Sequence, residues 1–237
     1  CHHTVAFMNI DQLSVQIESV SSAVIPGSMR LVTGDIADSL ALGDVSVAMH
    51  AYAAEVIPGS RFEMRSKCAL PESFRQLDPR RFRMDWSLSP EPSRRACEPG
   101  TAPVDRRIES AARARAAGFE VGIRLDPLQP ARIDRLEYDA LLRQIRDGMA
   151  PHRPDHFVIG SYKMSRELLL RIRDRFPGHP LPGYEWTVCA DGKLRPFRGI
   201  RLPSYALILE LLKDYFPGIP VRMSMELPFV LNLLEFC

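Results

Sequence analysis

Three short segments hold side chains that could bind the charged and polar groups of a ligand. In MRLVTGDIADSL, residues 29–40, an apolar run delivers Thr33, Gly34 and Asp35 to its end. A glycine lets a ligand approach the backbone, and the Asp35 carboxylate can accept hydrogen bonds from an ammonium group. The same residues also suit an ordinary turn and helix cap, since Asp is common at both. In FEMRSK and FRMDWSL, Lys67 and Ser87 each stand at or just beyond the end of a predicted strand. A lysine there can hold a carboxylate, and a serine hydroxyl can meet a hydroxyl or carboxylate oxygen. An end-of-strand lysine is also commonly just solvated.

A second group is basic: Arg80, Arg81, Arg83, Arg94, Arg95, Arg106, Arg107, Arg113 and Arg115. Clustered arginines can track a phosphate backbone, or they can form a solvated face balanced by acids such as Asp105 and Glu109. The formal net charge of +2, from 31 basic and 29 acidic side chains, gives no global field that would decide between them. The five cysteines, Cys1, Cys68, Cys97, Cys189 and Cys237, form no CxxC pair, which argues against a disulfide scaffold or zinc ribbon and fits a reducing cytoplasm. His2 and His3 are adjacent, and His152 and His156 lie in a proline-interrupted stretch, so the histidines give no metal pattern. There is no P-loop, G-x-G-x-x-G or G-x-S-x-G run, which removes the commonest kinase, dehydrogenase and hydrolase readings.

The elements that must position these groups alternate between strand and helix. Strands are expected over residues 4–10, 28–33, 61–66, 83–88, 120–125, 156–161 and 221–225, and helices over 10–20, 46–56, 105–117, 135–149, 165–176 and 204–216. Residues 98–127, EPGTAPVDRRIESAARARAAGFEVGIRLDP, show the pattern most clearly: a turn, a basic helix capped by Asp105, a left-handed glycine at Gly118 and a buried strand. Continuous apolar strands between amphipathic helices imply an α/β fold with a parallel sheet, an open or partial (β/α) barrel. The proline-rich stretches 88–101 and 177–183 read as loops. Residues 1–237 are expected to form one domain with an irregular C-terminal region from about Gly178. The longest apolar runs fall far short of a bilayer span, so no membrane association is expected.

These motifs resemble those of the spore photoproduct lyase-like family of radical S-adenosylmethionine (SAM) enzymes. TGDIADSL is similar to the family's T-G-E-x-x-D-S-L element, FEMRSK to its T-K strand and DWSLSPE to its S-L-N-P-E strand end, while EPGT, DRRIESAA and AGFEVGI match the segment that follows. VAFMNIDQL looks like the first barrel strand after the iron-sulfur loop. The likeness runs over about residues 5–138 and fades after Pro180. It implies a partial barrel of the radical SAM type, with SAM and a [4Fe-4S] cluster as cofactors and an external electron donor. Reductive cleavage of SAM would give a 5′-deoxyadenosyl radical that acts on a substrate, possible nucleic acid among them, in a cytoplasmic monomer. Carried over, Gly34 and Asp35 would meet the methionine amino group, and Lys67 and Ser87 the carboxylate or ribose. The C-x-x-x-C-x-x-C run that ligates the cluster is absent, and Cys1 is at most its last member, so the chain is expected to be a partial one with the cluster loop upstream. Thr33 stands where the lyase has a hydrogen-donating cysteine. Two other readings stay open: a cofactor-free degenerate barrel that binds nucleic acid through its arginines, and a metal-independent (β/α) enzyme for a small phosphorylated or carboxylated substrate held near Lys67.

Overall fold

The computed structural model describes residues 11–12, 15–16, 19, 30–34, 37–130, 133–179, 181–226 and 230, with Pro182 described in its backbone alone. The strand expected over 4–10, most of the helix over 10–20, and the candidate residues Cys1 and Asp35 lie outside the described residues.

Among the described residues six strands form one parallel sheet: β1 (Arg30–Thr33), β2 (Arg61–Ser66), β3 (Phe82–Ser87), β4 (Glu120–Leu128), β5 (His156–Ser161) and, after a two-stranded excursion, β8 (Val221–Met223). Their order in space is β1-β2-β3-β4-β5-β8, and every neighbouring pair is parallel. Helices α1 (Asp44–Val56), α3 (Val104–Ala116), α4 (Arg135–Met149) and α6 (Arg198–Tyr215) join successive strands or return the chain to the sheet. A short α2 (Glu91–Cys97), α5 (Arg166–Arg175) and an antiparallel hairpin of β6 (Trp186–Val188) and β7 (Leu194–Pro196) complete the order. This is the expected open (β/α) barrel.

Helical periodicity explains how the layers meet. Helix α4 buries Tyr138, Leu141, Leu142, Ile145 and Met149, one stripe at spacings of three and four, and Asp134 caps it by accepting from Leu136 N at 2.8 Å and Glu137 N at 3.1 Å. Helix α3 buries Val104, Ile108, Ala111 and Ala114 on its sheet-facing stripe and ends at Gly118, whose φ is 91°. Asp105 is not its cap. The helix begins one residue earlier, after Pro103, and Asp105 sits in the first turn, where its charge suits the helix N-terminus.

The strands are not continuously apolar, and this difference from the sequence reading shapes the site. Phe62, Met64, Met84, Trp86, Val121, Ile123, Phe157 and Ile159 join the hydrophobic core, while the alternate residues Glu63, Asp85, Arg124 and His156 are buried and Arg83 half-buried, all of them charged or titratable. A parallel sheet covered by helices on both faces would reject these groups. An open barrel leaves one face uncovered, and there the groups pair with each other: Arg83 with Asp85 at 3.0 Å, and Arg124 with Asp85 at 3.4 Å and Asp126 at 2.8 Å. Burial would raise the Asp85 carboxyl, but its contacts with His156 and Arg83 hold it well below the usual carboxylate range.

Three other elements depart from the expected order. Stretch 88–101 contains α2, whose Pro92 occupies the first turn, where proline costs no hydrogen bond. Helix α6 starts at Arg198 rather than Ser204 and carries Pro203 inside it, with its first turns held by Arg201, which donates to Pro196 O at 2.7 Å and pairs with Glu226 at 2.9 Å. The hairpin turns at Asp191-Gly192, where Gly192 has φ 71°, a recognisable turn signal within the divergent region.

Two outcomes are expected. A Cβ at Gly122 would collide with His156 Nε2 and Asp85 Oδ1, so Gly122→Ala should lower stability in denaturant unfolding by about 3 kcal/mol, the upper part of the overpacking range. His50 of α1 is held by Ser46 O at 2.7 Å and Thr33 Oγ1 at 3.0 Å, and burial lowers its pKa despite the opposing bond to Ser46. The unfolded chain therefore binds the proton more readily, and this contribution to stability, full above about pH 6.5, is lost as pH falls below it. Thermal melts of His50→Gln should show a shallower loss of stability between neutral pH and pH 5 than those of the parent; equal slopes would refute the assignment.

Candidate functional site

The C-terminal ends of β1, β2 and β3 carry Gly34, Lys67 and Ser87, and all three line one cavity of about 310 Å³ together with Arg65, Arg124, Asp126, Ser161 and Lys163. They also border an adjoining hollow of about 180 Å³ with Asp38 and Ser66. Gly34 is required by the chain's own packing: its φ is 92°, and a Cβ there would lie 2.6 Å from Arg65 O and 2.8 Å from Ser39 Oγ. The half-buried Ser87 hydroxyl makes no hydrogen bond among the described residues, which leaves it available to a ligand.

The rest of the TGDIADSL element proves to be a clamp on the end of β2. Ser39 Oγ accepts from Arg65 N at 3.0 Å, Ser39 N donates to Arg65 O at 3.0 Å, and Thr33 Oγ1 meets Ser39 Oγ at 2.8 Å. Asp38 accepts from Leu40 N and Ser66 Oγ, each at 2.8 Å, and from the backbone N–H of Lys67. The loop after β1 is thereby fixed to the strand that delivers Lys67. Sequence reasoning singled out Gly34 and Asp35 here and passed over Asp38 and Ser39, whose signal was the D-S-L ending of the motif.

Lys67 is held from a second side by the EPGT turn. Its Nζ lies 2.7 Å from Glu98 Oε1, and the other oxygen of that carboxylate, Oε2, accepts from Arg107 at 2.9 Å. Arg107 is fully buried, and its guanidinium also donates to Ala102 O and Ser87 O, each at 2.7 Å, and to the Thr101 hydroxyl. One acid thus sits between two cations, so the group keeps a net positive charge at the cavity wall and can still receive an anionic ligand group. Neither Glu98 nor Arg107 stood out as a site residue, although both lie in motifs that carry the resemblance.

The nine arginines proposed to track phosphates are all engaged within the chain. Arg80, Arg94, Arg95, Arg106, Arg107, Arg113 and Arg115 pair with carboxylates, Arg83 with three of them, and Arg81 donates to the carbonyls of Ala54, Ile57 and Ser60. Among the described residues no three His, Cys, Asp or Glu side chains are grouped to hold a metal ion. Cys68, Cys97 and Cys189 are free thiols, and burial followed by the nearby Asp38 charge pushes the Cys68 thiol up to about 11. No helix among the described residues is long and apolar enough to cross a membrane.

No protein-family model and no curated protein sequence matches the chain. Solved structures do. Spore photoproduct lyase complexed with dinucleoside spore photoproduct aligns with a TM-score of 0.78 at 16% identity, over 92% of this chain and 68% of that one. A double mutant of that lyase with bound AdoMet and dinucleoside spore photoproduct aligns with a TM-score of 0.75 at 17% identity, over 91% and 67%. A single mutant with dinucleoside spore photoproduct gives 0.77 at 16%, over 92% and 68%. The match reaches well beyond the point at which the sequence likeness fades. The chain has the fold of spore photoproduct lyase, the open α/β barrel of the radical SAM enzymes.

Proposed function

We propose that this chain is the SAM-binding barrel of a radical SAM enzyme of the spore photoproduct lyase-like group. The observation that carries this reading is the convergence of Gly34, Lys67 and Ser87 on one cavity at the C-terminal strand ends. Ligands of parallel α/β folds gather at that edge. The donor set suits SAM: Lys67 offers a cation to the methionine carboxylate, Ser87 a free hydroxyl to the carboxylate or ribose, and Gly34 a point of backbone without a side chain at the cavity wall. Asp35 would accept from that amino group.

The residues described do not fit the cluster. They hold no group of three metal-ligating side chains, and the sequence has no C-x-x-x-C-x-x-C run. A [4Fe-4S] cluster would have to be held by residues other than those described, whose own part would be the binding and orientation of SAM. Glu98 and Arg107 hold Lys67 and the end of β3 in place, and Asp38 fixes the backbone of Lys67 from the other side.

Thr33 bears on the reaction. It carries a hydroxyl in place of a thiol, and that hydroxyl is tied to Ser39 and His50. An alcohol O–H gives up a hydrogen atom far less readily than a thiol S–H, so the proposed reaction is a different one of the wider group rather than spore photoproduct repair. Spore photoproduct lyase is complexed with dinucleoside spore photoproduct in a structure similar to this one, and the cationic Lys163 at this cavity suits a phosphate-bearing substrate, which supports a nucleic-acid substrate here. The reading in which the arginine clusters alone bind nucleic acid is disfavoured by their internal partners.

The protein expressed from its whole reading frame, reconstituted anaerobically with iron and sulfide and supplied with a reductant, should convert SAM to 5′-deoxyadenosine. Lys67→Ala should lower kcat/KM for SAM by about 10- to 100-fold, the worth of one charge-assisted contact, and Glu98→Gln by about tenfold, chiefly through KM. No bound iron together with no SAM cleavage would overturn the proposal.

A further inference from the structure

The opposite end of the barrel carries a second basic concavity, of about 220 Å³, that shares no lining residue with the SAM cavity. Six arginines border it. Three are occupied: Arg80 by Asp78, Arg81 by backbone carbonyls, and Arg83 by Asp85 and its neighbouring acids. The other three, Arg30 on β1, Arg61 on β2 and Arg222 on β8, are exposed. Arg61 and Arg222 have no hydrogen bond or ion pair among the described residues, and Arg30 has only a loose contact with Glu63 at 3.5 Å.

Their placement is costly without a counter-charge. Arg30 and Arg61 are direct partners in the parallel ladder, so their side chains leave adjacent strands on the same side. Like charges set directly opposite each other in a sheet repel. Arg222 comes from the strand at the other edge of the sheet yet borders the same concavity, which the sheet's curl brings about. Glu120 is the one acid on this wall, and it already faces Arg83 at 3.8 Å.

We propose that this N-terminal mouth binds a single phosphate group, as inorganic phosphate or a phosphomonoester. Guanidinium forks match phosphate oxygens, and a dianion between Arg30, Arg61 and Arg222 removes their mutual repulsion. The extra negative charge of a terminal phosphate favours it over the diester groups of a passing strand at three converging cations. The site needs neither SAM nor iron, so it stands or falls independently of the reaction proposed above.

Calorimetric titration at pH 8 tests this with four probes: inorganic phosphate, a nucleoside 5′-monophosphate, the corresponding nucleoside, and a dinucleoside monophosphate whose only phosphate is a diester. Inorganic phosphate and the 5′-monophosphate should bind, and Arg61→Ala and Arg222→Ala should each weaken both by about tenfold. Both side chains are exposed and unpaired, so the melting midpoints of the variants without phosphate should match that of the parent, which separates lost binding from lost folding. Equal affinity in parent and variants, or no phosphate binding at millimolar concentration, would overturn the proposal. Equal or tighter binding of the diester would overturn its assignment to a terminal phosphate and make the mouth a backbone reader instead.

Discussion

A single buried guanidinium, that of Arg107, joins the segments on which the site depends. It comes from α3, closes the EPGT turn through Ala102 O and Thr101, takes the last carbonyl of β3 at Ser87, and holds the Glu98 carboxylate that in turn holds Lys67. A buried charge is tolerated only when it is paired and hydrogen-bonded, and Arg107 is both. The arrangement makes the geometry of Lys67 and Ser87 interdependent. Losing the guanidinium would leave Glu98 with Lys67 alone and take the donor from three part-buried acceptors, at a cost of about 3 kcal/mol, the lower end for a broken buried pair.

The two ends of the barrel handle charge differently. At the C-terminal edge the charges are counted out in near balance: Asp38 on the Lys67 backbone, Glu98 between Lys67 and Arg107, Asp126 and Asp85 on Arg124. Such a wall is preorganised, with each cation fixed before a ligand arrives. At the N-terminal mouth Arg30, Arg61 and Arg222 outnumber the acids that could answer them. Between the two ends, the charged face of β2, β3 and β4 is neutralised by pairing within the strands themselves.

Much of this was legible in the sequence because local signals agreed with the fold. Strands β2 and β5 and helix α4 occupy the expected residues, since apolar period, bounding turns and caps coincide there. Lys67 and Ser87 were found at strand ends because FEMRSK and FRMDWSL carry the alternation of a half-buried strand. That alternation also held the fact that was missed: one face of each strand is charged, which only an open barrel permits. Helix α2 and the start of α6 were hidden by Pro92 and Pro203, which mark loops in most contexts. The roles of Glu98, Arg107 and Asp38 were not legible because each partner lies well away in sequence, from 9 residues between Glu98 and Arg107 to 31 between Lys67 and Glu98.

The central claim is that Lys67, positioned by Glu98, receives the carboxylate of SAM. The most direct measurement is the dissociation constant of SAM and of decarboxylated SAM for the parent protein and for Lys67→Ala. The parent should bind SAM about tenfold or more tightly than the decarboxylated analogue, and Lys67→Ala should bring that ratio close to one. A ratio that survives the substitution unchanged, or a parent that does not distinguish the two ligands, would contradict the account.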